Sequence, residues 1–131
     1  MEEKEILQNI AVYLQKKYNG LNEIENLTKQ LQDALSYGDR VTIRMLIKMR
    51  QEEMDQIDQI DLKRTRILNT LSESKKRALK KGDPSPFLAE NEDLVKKIAE
   101  IEHKNHRVLE KLIEQDKFVN RRLAGDKSYY H

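Results

Sequence analysis

Residues 39–81, DRVTIRMLIKMRQEEMDQIDQIDLKRTRILNTLSESKKRALKK, pass without a proline or a glycine. Within them Ile43, Leu46, Ile47, Met54, Ile57, Ile60, Ile67, Leu68 and Leu71 recur at steps of three and four, the period of one helix face. The spacing predicts one long amphipathic helix over about 40–80. At 1.5 Å of rise per residue it would be roughly 60 Å long, about twice the diameter of a small globular domain. An all-α, rod-like fold is the expectation.

Toward the N-terminus, residues 2–37 carry Ile6, Ile10, Tyr13, Leu14, Leu21, Ile24, Leu27, Leu31, Ala34 and Leu35 at helical spacing. Asn19-Gly20 falls inside this run. A glycine in a helix interior costs about 1 kcal/mol against alanine, but the stripe resumes in phase, so a continuous first helix is expected. Gly38 suits the left-handed position just past a helix end, and Asp39 can accept hydrogen bonds from the first free amides of the next helix. Two residues of turn imply an antiparallel hairpin.

Toward the C-terminus, Ser74 to Gly82 reads as a cationic helix end, suited to the negative pole of the helix dipole before a glycine stop. Asp83-Pro84-Ser85-Pro86 then blocks helix. From Phe87 the stripe returns through Leu88, Leu94, Val95, Ile98, Ile101, Val108, Leu109, Leu112, Ile113, Val119 and Leu123, predicting a third helix over about 87–123. The chain is thus expected as one domain over 1–124, an elongated antiparallel bundle or hairpin of three long helices with coiled-coil-like packing. The tail 125–131 has no stripe and is expected to be mobile.

Composition narrows the function. Lys and Arg number 25 against 23 Asp and Glu, interleaved at every scale, so the net charge of +2 supplies no basic field for nucleic acid or an anionic membrane. The run from Lys75 to Lys81 has neither stacking aromatics nor a second basic patch beside it, and its place at a helix end accounts for it. Without cysteine there is no disulfide framework, thiolate metal site or cysteine nucleophile. The start, MEEKEILQNI, is acidic and lacks the apolar run of a signal peptide, and no stretch approaches a membrane span. A cytoplasmic protein without membrane insertion is expected.

Some polar residues fall among the apolar ones. Arg50 and Arg64 share a heptad file with Ile43, Ile57 and Leu71, and Glu53 shares the other with Leu46 and Ile60. Arg50 and Glu53 are three apart and could pair. Long stems that snorkel out with wet heads are the expected reading; fixing register or contacting a partner is the sharper one. Asn105 falls in the file of Ile98 and Leu112, where a buried asparagine would specify register or oligomer state. Asp55, Asp58 and Asp61 drift around the helix and read as a solvated ridge. His103 and His106, beside Lys104 and Arg107, read as exposed histidines rather than a zinc site.

Catalytic signatures are few. There is no glycine-rich phosphate loop, GxSxG or HExxH, and no cofactor or metal site is expected. The run from Arg50 through Met54-Asp55 and Ile57-Asp58 resembles the opening of the all-helical chorismate mutases, which would make Arg50 and Arg66 ligands of an anionic pocket. The Lys75 to Lys81 segment departs from that pattern by leading straight into a proline-rich loop.

A second resemblance covers nearly the whole chain. Leu31-x-x-Ala34-Leu35-x-x-Gly38-Asp39, followed by Leu46-x-x-x-Arg50-Gln51 and Ile57-Asp58-x-Ile60-Asp61, is similar to the flagellar type III secretion chaperones of the FlgN and FliT kind, as are Phe118-Val119-Asn120-Arg121-Arg122-Leu123 and the tail tyrosines. The resemblance implies a non-enzymatic cytoplasmic helical bundle that sequesters an amphipathic helical terminus of a flagellar hook-associated or filament-cap protein until it reaches the export gate. Carried over by position, Ile98, Ile101, Val108, Leu112 and Val119 would form the client groove, and Tyr129 or Tyr130 would contact the gate. Independently, a thin rod of three striped helices should leave apolar surface for a partner helix. A homodimeric coiled-coil scaffold without a client would close the same surface. On the chaperone reading, Ile101→Asp and Val108→Asp should weaken client capture and spare helicity.

Overall fold

The computed structural model describes residues 1–125. They form four α-helices, α1 (Glu3–Tyr37), α2 (Arg40–Leu68), α3 (Glu73–Lys81) and α4 (Glu92–Ala124), with a 3-10 turn at Ala89–Asn91 leading into the last. Among the described residues there is no strand.

α1 is the spine. Its 35 residues run unbroken through Gly20 and so span about 52 Å. Its buried side chains come partly as sequence neighbours, Ile6 with Leu7, Ile10 with Ala11, Leu27 with Thr28 and Ala34 with Leu35. Neighbours on a helix point about 100° apart, so the buried stripe is broad enough to take a partner helix on each flank. α2 and α4 occupy those flanks, both packed closely on α1 while their own backbones stay apart.

α2 runs antiparallel to α1, with Lys17 bonded to Asp61 at 3.1 Å and Gly20 against Ile57. A Cβ at Gly20 would sit 3.1 Å from the Ile57 Cγ1, so the missing side chain lets the two helices approach there. The turn between them is the expected one: Gly38 takes a left-handed φ of 70°, and the Asp39 carboxylate accepts from the Thr42 amide at 3.2 Å. α4 runs in the direction of α1. Glu3 meets Asn91, Leu14 meets Asn105, and Leu35 meets Arg122, whose Nη2 donates to the Leu35 carbonyl at 3.3 Å.

The expected single helix over 40–80 is corrected: α2 stops at Leu68, and a four-residue break precedes α3. Register supplies the reason. With Asp61 opposite Lys17, each turn forward along α2 is a turn back along α1, so α1 runs out about where residue 75 would lie. A straight continuation would carry Ala78 and Leu79 past the end of their partner. Instead α3 folds over that end, and Leu71, Ala78, Leu79 and Phe87 close on Ile6, Leu7 and Ile10. Each large side chain so buried is stabilised by about 2 kcal/mol. No proline or glycine marks the break. The Thr70 hydroxyl donates to the Ile67 carbonyl at 2.6 Å, and the Ser72 side chain caps α3 by accepting from the Lys75 amide at 3.3 Å.

Two further clusters continue the core along α1, one around Leu21, Ile24, Ile57, Val108 and Leu112, the other around Leu31, Leu35, Ile43, Leu46 and Val119. The α3 end is tied down by Glu3. Its carboxylate accepts from Lys75 Nζ at 2.8 Å, from the Leu88 amide at 2.9 Å and from Asn91 Nδ2 at 2.7 Å. Burial alone would raise the Glu3 pKa, but these donors and the Lys75 charge outweigh it and hold the carboxyl below its ordinary 4.5. A carboxyl held lower in the folded than in the unfolded chain contributes stability that is complete above the ordinary value and is lost as pH falls through the folded one. Glu3→Gln should therefore lower the melting temperature at neutral pH, with the gap from the parent closing as pH drops below about 4.5. A gap that stays constant into strong acid would show that the charge on Glu3 contributes nothing.

Candidate functional site

The five apolar positions that the sequence suggested as a client groove are interior. Ile98 and Ile101 belong to the cluster under α3, Val108 and Leu112 to the middle one, and Val119 to the one near the hairpin turn. All five are at most 8% exposed. The correction has a simple cause: this stripe of α4 covers the second flank of α1, which the sequence reading treated as a helix with a single narrow stripe. Tyr129 and Tyr130, and all of the tail beyond Gly125, lie outside the described residues.

What remains open is the seam between α2 and α4, floored by α1. Midway along it lies a hollow of about 200 Å³. Leu21 and Ile24 of α1 form its floor, Met54 and Ile57 one wall, Leu109 and Ile113 the other. Ile113 is 57% exposed, and Met54 and Leu109 are half-buried. Met54 and Leu109 pack only in part against the middle cluster, and Ile113 is the most open of the three.

Ion pairs bridge the seam on both sides of this hollow. Arg50 donates from Nη2 to the Asp116 carboxylate. Arg50 is buried, so the expected wet head is corrected, and its partner is Asp116 of α4 rather than Glu53. Its Nε finds no acceptor. On the other side Asp61 accepts from Lys17 at 3.1 Å and Arg64 at 3.3 Å, and Arg64 reaches Glu102 at 3.7 Å, so one chain of charges links α1, α2 and α4. These pairs hold α2 and α4 at a set spacing without closing the space between them.

Asn105 is buried and donates to the Leu14 carbonyl at 3.3 Å. It fixes the register of α4 on α1. Its Oδ1 has no partner, which makes any slip costly, since a second buried polar atom would then be orphaned. Of the three spaced aspartates, Asp55 accepts from Gln51 at 2.9 Å, Asp61 belongs to the charge chain, and Asp58 edges the hollow. His103 and His106 are exposed, as expected, and His106 pairs with Glu110 at 2.9 Å. Among the described residues no group of three or more histidines and carboxylates is placed to hold a metal ion.

The residues that the chorismate mutase resemblance would join are not brought together. Arg50 turns inward to Asp116, whereas Arg66 is exposed and lies about 160° from it around α2. A feature the sequence reading dismissed does assemble. Between the end of α2, α3 and α4 lies a second hollow of about 730 Å³, floored by apolar side chains and rimmed by Arg64, Lys76, Arg77, Lys80 and Lys81. The break after Leu68 creates it by swinging α3 back toward α4, and Ser72 with its cap to Lys75 was the one local signal of that break.

No helix among the described residues is long and apolar enough to cross a membrane. Comparison with protein-family models, curated proteins and solved structures finds no match to this chain.

Proposed function

We propose that this chain is a non-enzymatic binding protein that holds an amphipathic helix of a partner in the seam between α2 and α4. As the resemblance to flagellar export chaperones implies, the partner would be the helical terminus of a hook-associated or filament-cap protein, kept in the cytoplasm before secretion. Docking of the loaded chain on an export gate through Tyr129 or Tyr130 belongs to the same proposal.

The observation that carries it is the uncovered apolar hollow around Ile113, Leu109 and Met54 between two helices that lean on a common spine. A helix laid in the seam can insert side chains at positions i, i+3 and i+7 over the floor of Leu21 and Ile24. The Arg50–Asp116 and Arg64–Glu102 pairs support this reading because they tether the two walls on either side of the hollow in the empty protein. Such a groove needs little rearrangement to bind.

Ile113 gives the clean test, because a charge at an exposed position leaves the interior alone. Mixed with candidate hook-associated and cap proteins, the parent chain should form a stoichiometric complex by gel filtration. Ile113→Asp should keep its melting temperature and lose that complex. No complex with any candidate, together with a tight homodimer, would overturn the proposal. It would favour a second reading supported by the exposed row of Val41, Met45 and Met49, spaced by four along α2, as a face for a second copy of the chain.

A further inference from the structure

We propose that the hollow beneath α3 receives the acidic end of the helix bound in the seam, so that this protein selects partners whose apolar face is followed by a cluster of carboxylates. The proposal rests on the seam reading above.

Magnitudes create the need for a second contact. The seam hollow has room for only two or three leucine-sized side chains, whose burial does little more than offset the freedom a ligand loses on association. The apolar hollow alone is therefore a weak site.

The α3 hollow is chemically suited to supply the rest. Ile10, Leu79 and Ile98 lie deep in its floor and are almost fully buried. Of the five Lys and Arg side chains on its rim, Lys76 is engaged by Glu73 at 3.0 Å, and Arg64 is shared by Asp61 and Glu102. Arg77 and Lys80 are exposed and meet no carboxylate within ion-pair distance among the described residues. Glu102 is the only acid in the lining. The dipole at the end of α3 favours cations at Lys80 and Lys81, but a helix of nine residues does not account for Arg77, a turn earlier, or Arg64 of α2 facing the same space. Cations gathered over apolar ground match a ligand with an apolar body and a negative edge.

An anionic membrane fits less well. A membrane-binding surface presents its apolar side chains at the crest, whereas these lie at the bottom of a concavity with the cations above them. The two hollows are also within reach of one ligand. From Ile113 to Ala99 along α4 is fourteen residues, about 21 Å, and a partner helix of some eighteen residues spans about 27 Å. Asp58 edges the far hollow, where Asp116 is already paired with Arg50, so the partner's acidic end meets a carboxylate there and cations at α3. One orientation is selected.

Two synthetic helical peptides of about eighteen residues test this. Both carry the same leucine face at i, i+3, i+4 and i+7, and they differ only in four consecutive solvent-side residues at one end, Glu in one and Gln in the other. By fluorescence anisotropy in low salt the parent chain should bind the Glu peptide at least 10-fold more tightly. The preference should shrink toward unity in high salt, because exposed charges are screened. The surface variant Arg77→Glu/Lys80→Glu should lose the preference and hold the Gln peptide as before. Ile113→Asp should weaken both peptides. Equal binding of the two peptides by the parent would overturn the α3 proposal and leave the seam reading standing. Failure of both peptides to bind, or binding insensitive to Ile113→Asp, would remove the seam reading itself. Binding of phosphatidylserine vesicles abolished by Arg77→Glu/Lys80→Glu, without any Glu preference among peptides, would reassign the hollow to a lipid surface and overturn the proposal.

Discussion

Ile101→Asp should abolish the cooperative thermal transition and most of the helical circular dichroism, and Val108→Asp should do the same. Both side chains are buried, Ile101 among the residues under α3 and Val108 beside Leu21 and Ile57. Neither cluster contains a cation to pair with the introduced carboxylate. Either it stays ionised at a desolvation cost of several kcal/mol, or it takes a proton and still leaves a polar group among leucines. Added to the lost apolar contacts, the loss exceeds about 4 kcal/mol, comparable with the whole stability of an ordinary domain. Ile113→Asp is the contrasting variant. Ile113 follows Val108 by five positions on the same helix, which turns it about 140° away from that buried side chain, and as an exposed residue its replacement should melt like the parent. If Ile101→Asp and Val108→Asp instead keep the fold and lose only partner binding, α4 peels away from α1 to bind, and the groove lies under α4 rather than beside it.

The second large effect belongs to Arg50. Its guanidinium is nearly enclosed, with a side chain 10% exposed, and among the described residues Asp116 is the carboxylate paired with it. Asp116→Ala would leave that charge without a counterion and with Nε already lacking an acceptor. A hydrogen bond to a charged group contributes about 1.5–3 kcal/mol. Because Asp116 is itself 35% exposed, the lower part of that range applies. In a chain of this size about 2 kcal/mol lowers the melting temperature by roughly 8 °C. Arg50→Met combined with Asp116→Leu should recover most of the loss, since a buried ion pair replaced by apolar groups of similar volume is often neutral. Thermal melts of the parent, both single variants and the double variant measure the coupling. A coupling below about 0.5 kcal/mol would show that the pair does not hold α2 to α4.

Much of this architecture was legible from spacing. The hairpin at Gly38-Asp39, the continuity of α1 through Gly20 and the end of α4 at Ala124 follow from local rules of capping and periodicity, and those rules act over a few residues. What spacing could not show was where each stripe points. The neighbouring pairs Ile6-Leu7, Ile10-Ala11 and Ala34-Leu35 were the available sign that α1 serves two partners, and reading α1 as a single stripe left α4 with a face to spare. That misplacement moved the candidate groove from the seam onto the core. The break at 69–72 was hidden for a different reason. Asn69, Thr70, Leu71 and Ser72 are all tolerated in helices, and what ends α2 there is the length of α1, a property of the register between two segments that meet across 72 positions at Glu3 and Lys75.

Arg50 and Arg77 illustrate the same division. From sequence, Arg50 was one more long polar stem in a heptad file, and the carboxylate that buries it lies 66 positions away on another helix. Arg77 sat in a basic run that a helix end accounts for. Only the backward swing of α3 set it over Ile10 and Ile98.

The broad stripe of α1 has a consequence for how the protein is made. A ribosome releases α1 and α2 first, and their short connection lets them zip together at once. The other flank of the spine waits for Val95 through Leu123, with Asn105 meeting Leu14 across 91 positions. Before α4 emerges a nascent chain carries a bare greasy edge about 50 Å long, and release of the polypeptide before Val119 leaves that edge uncovered at the hairpin end.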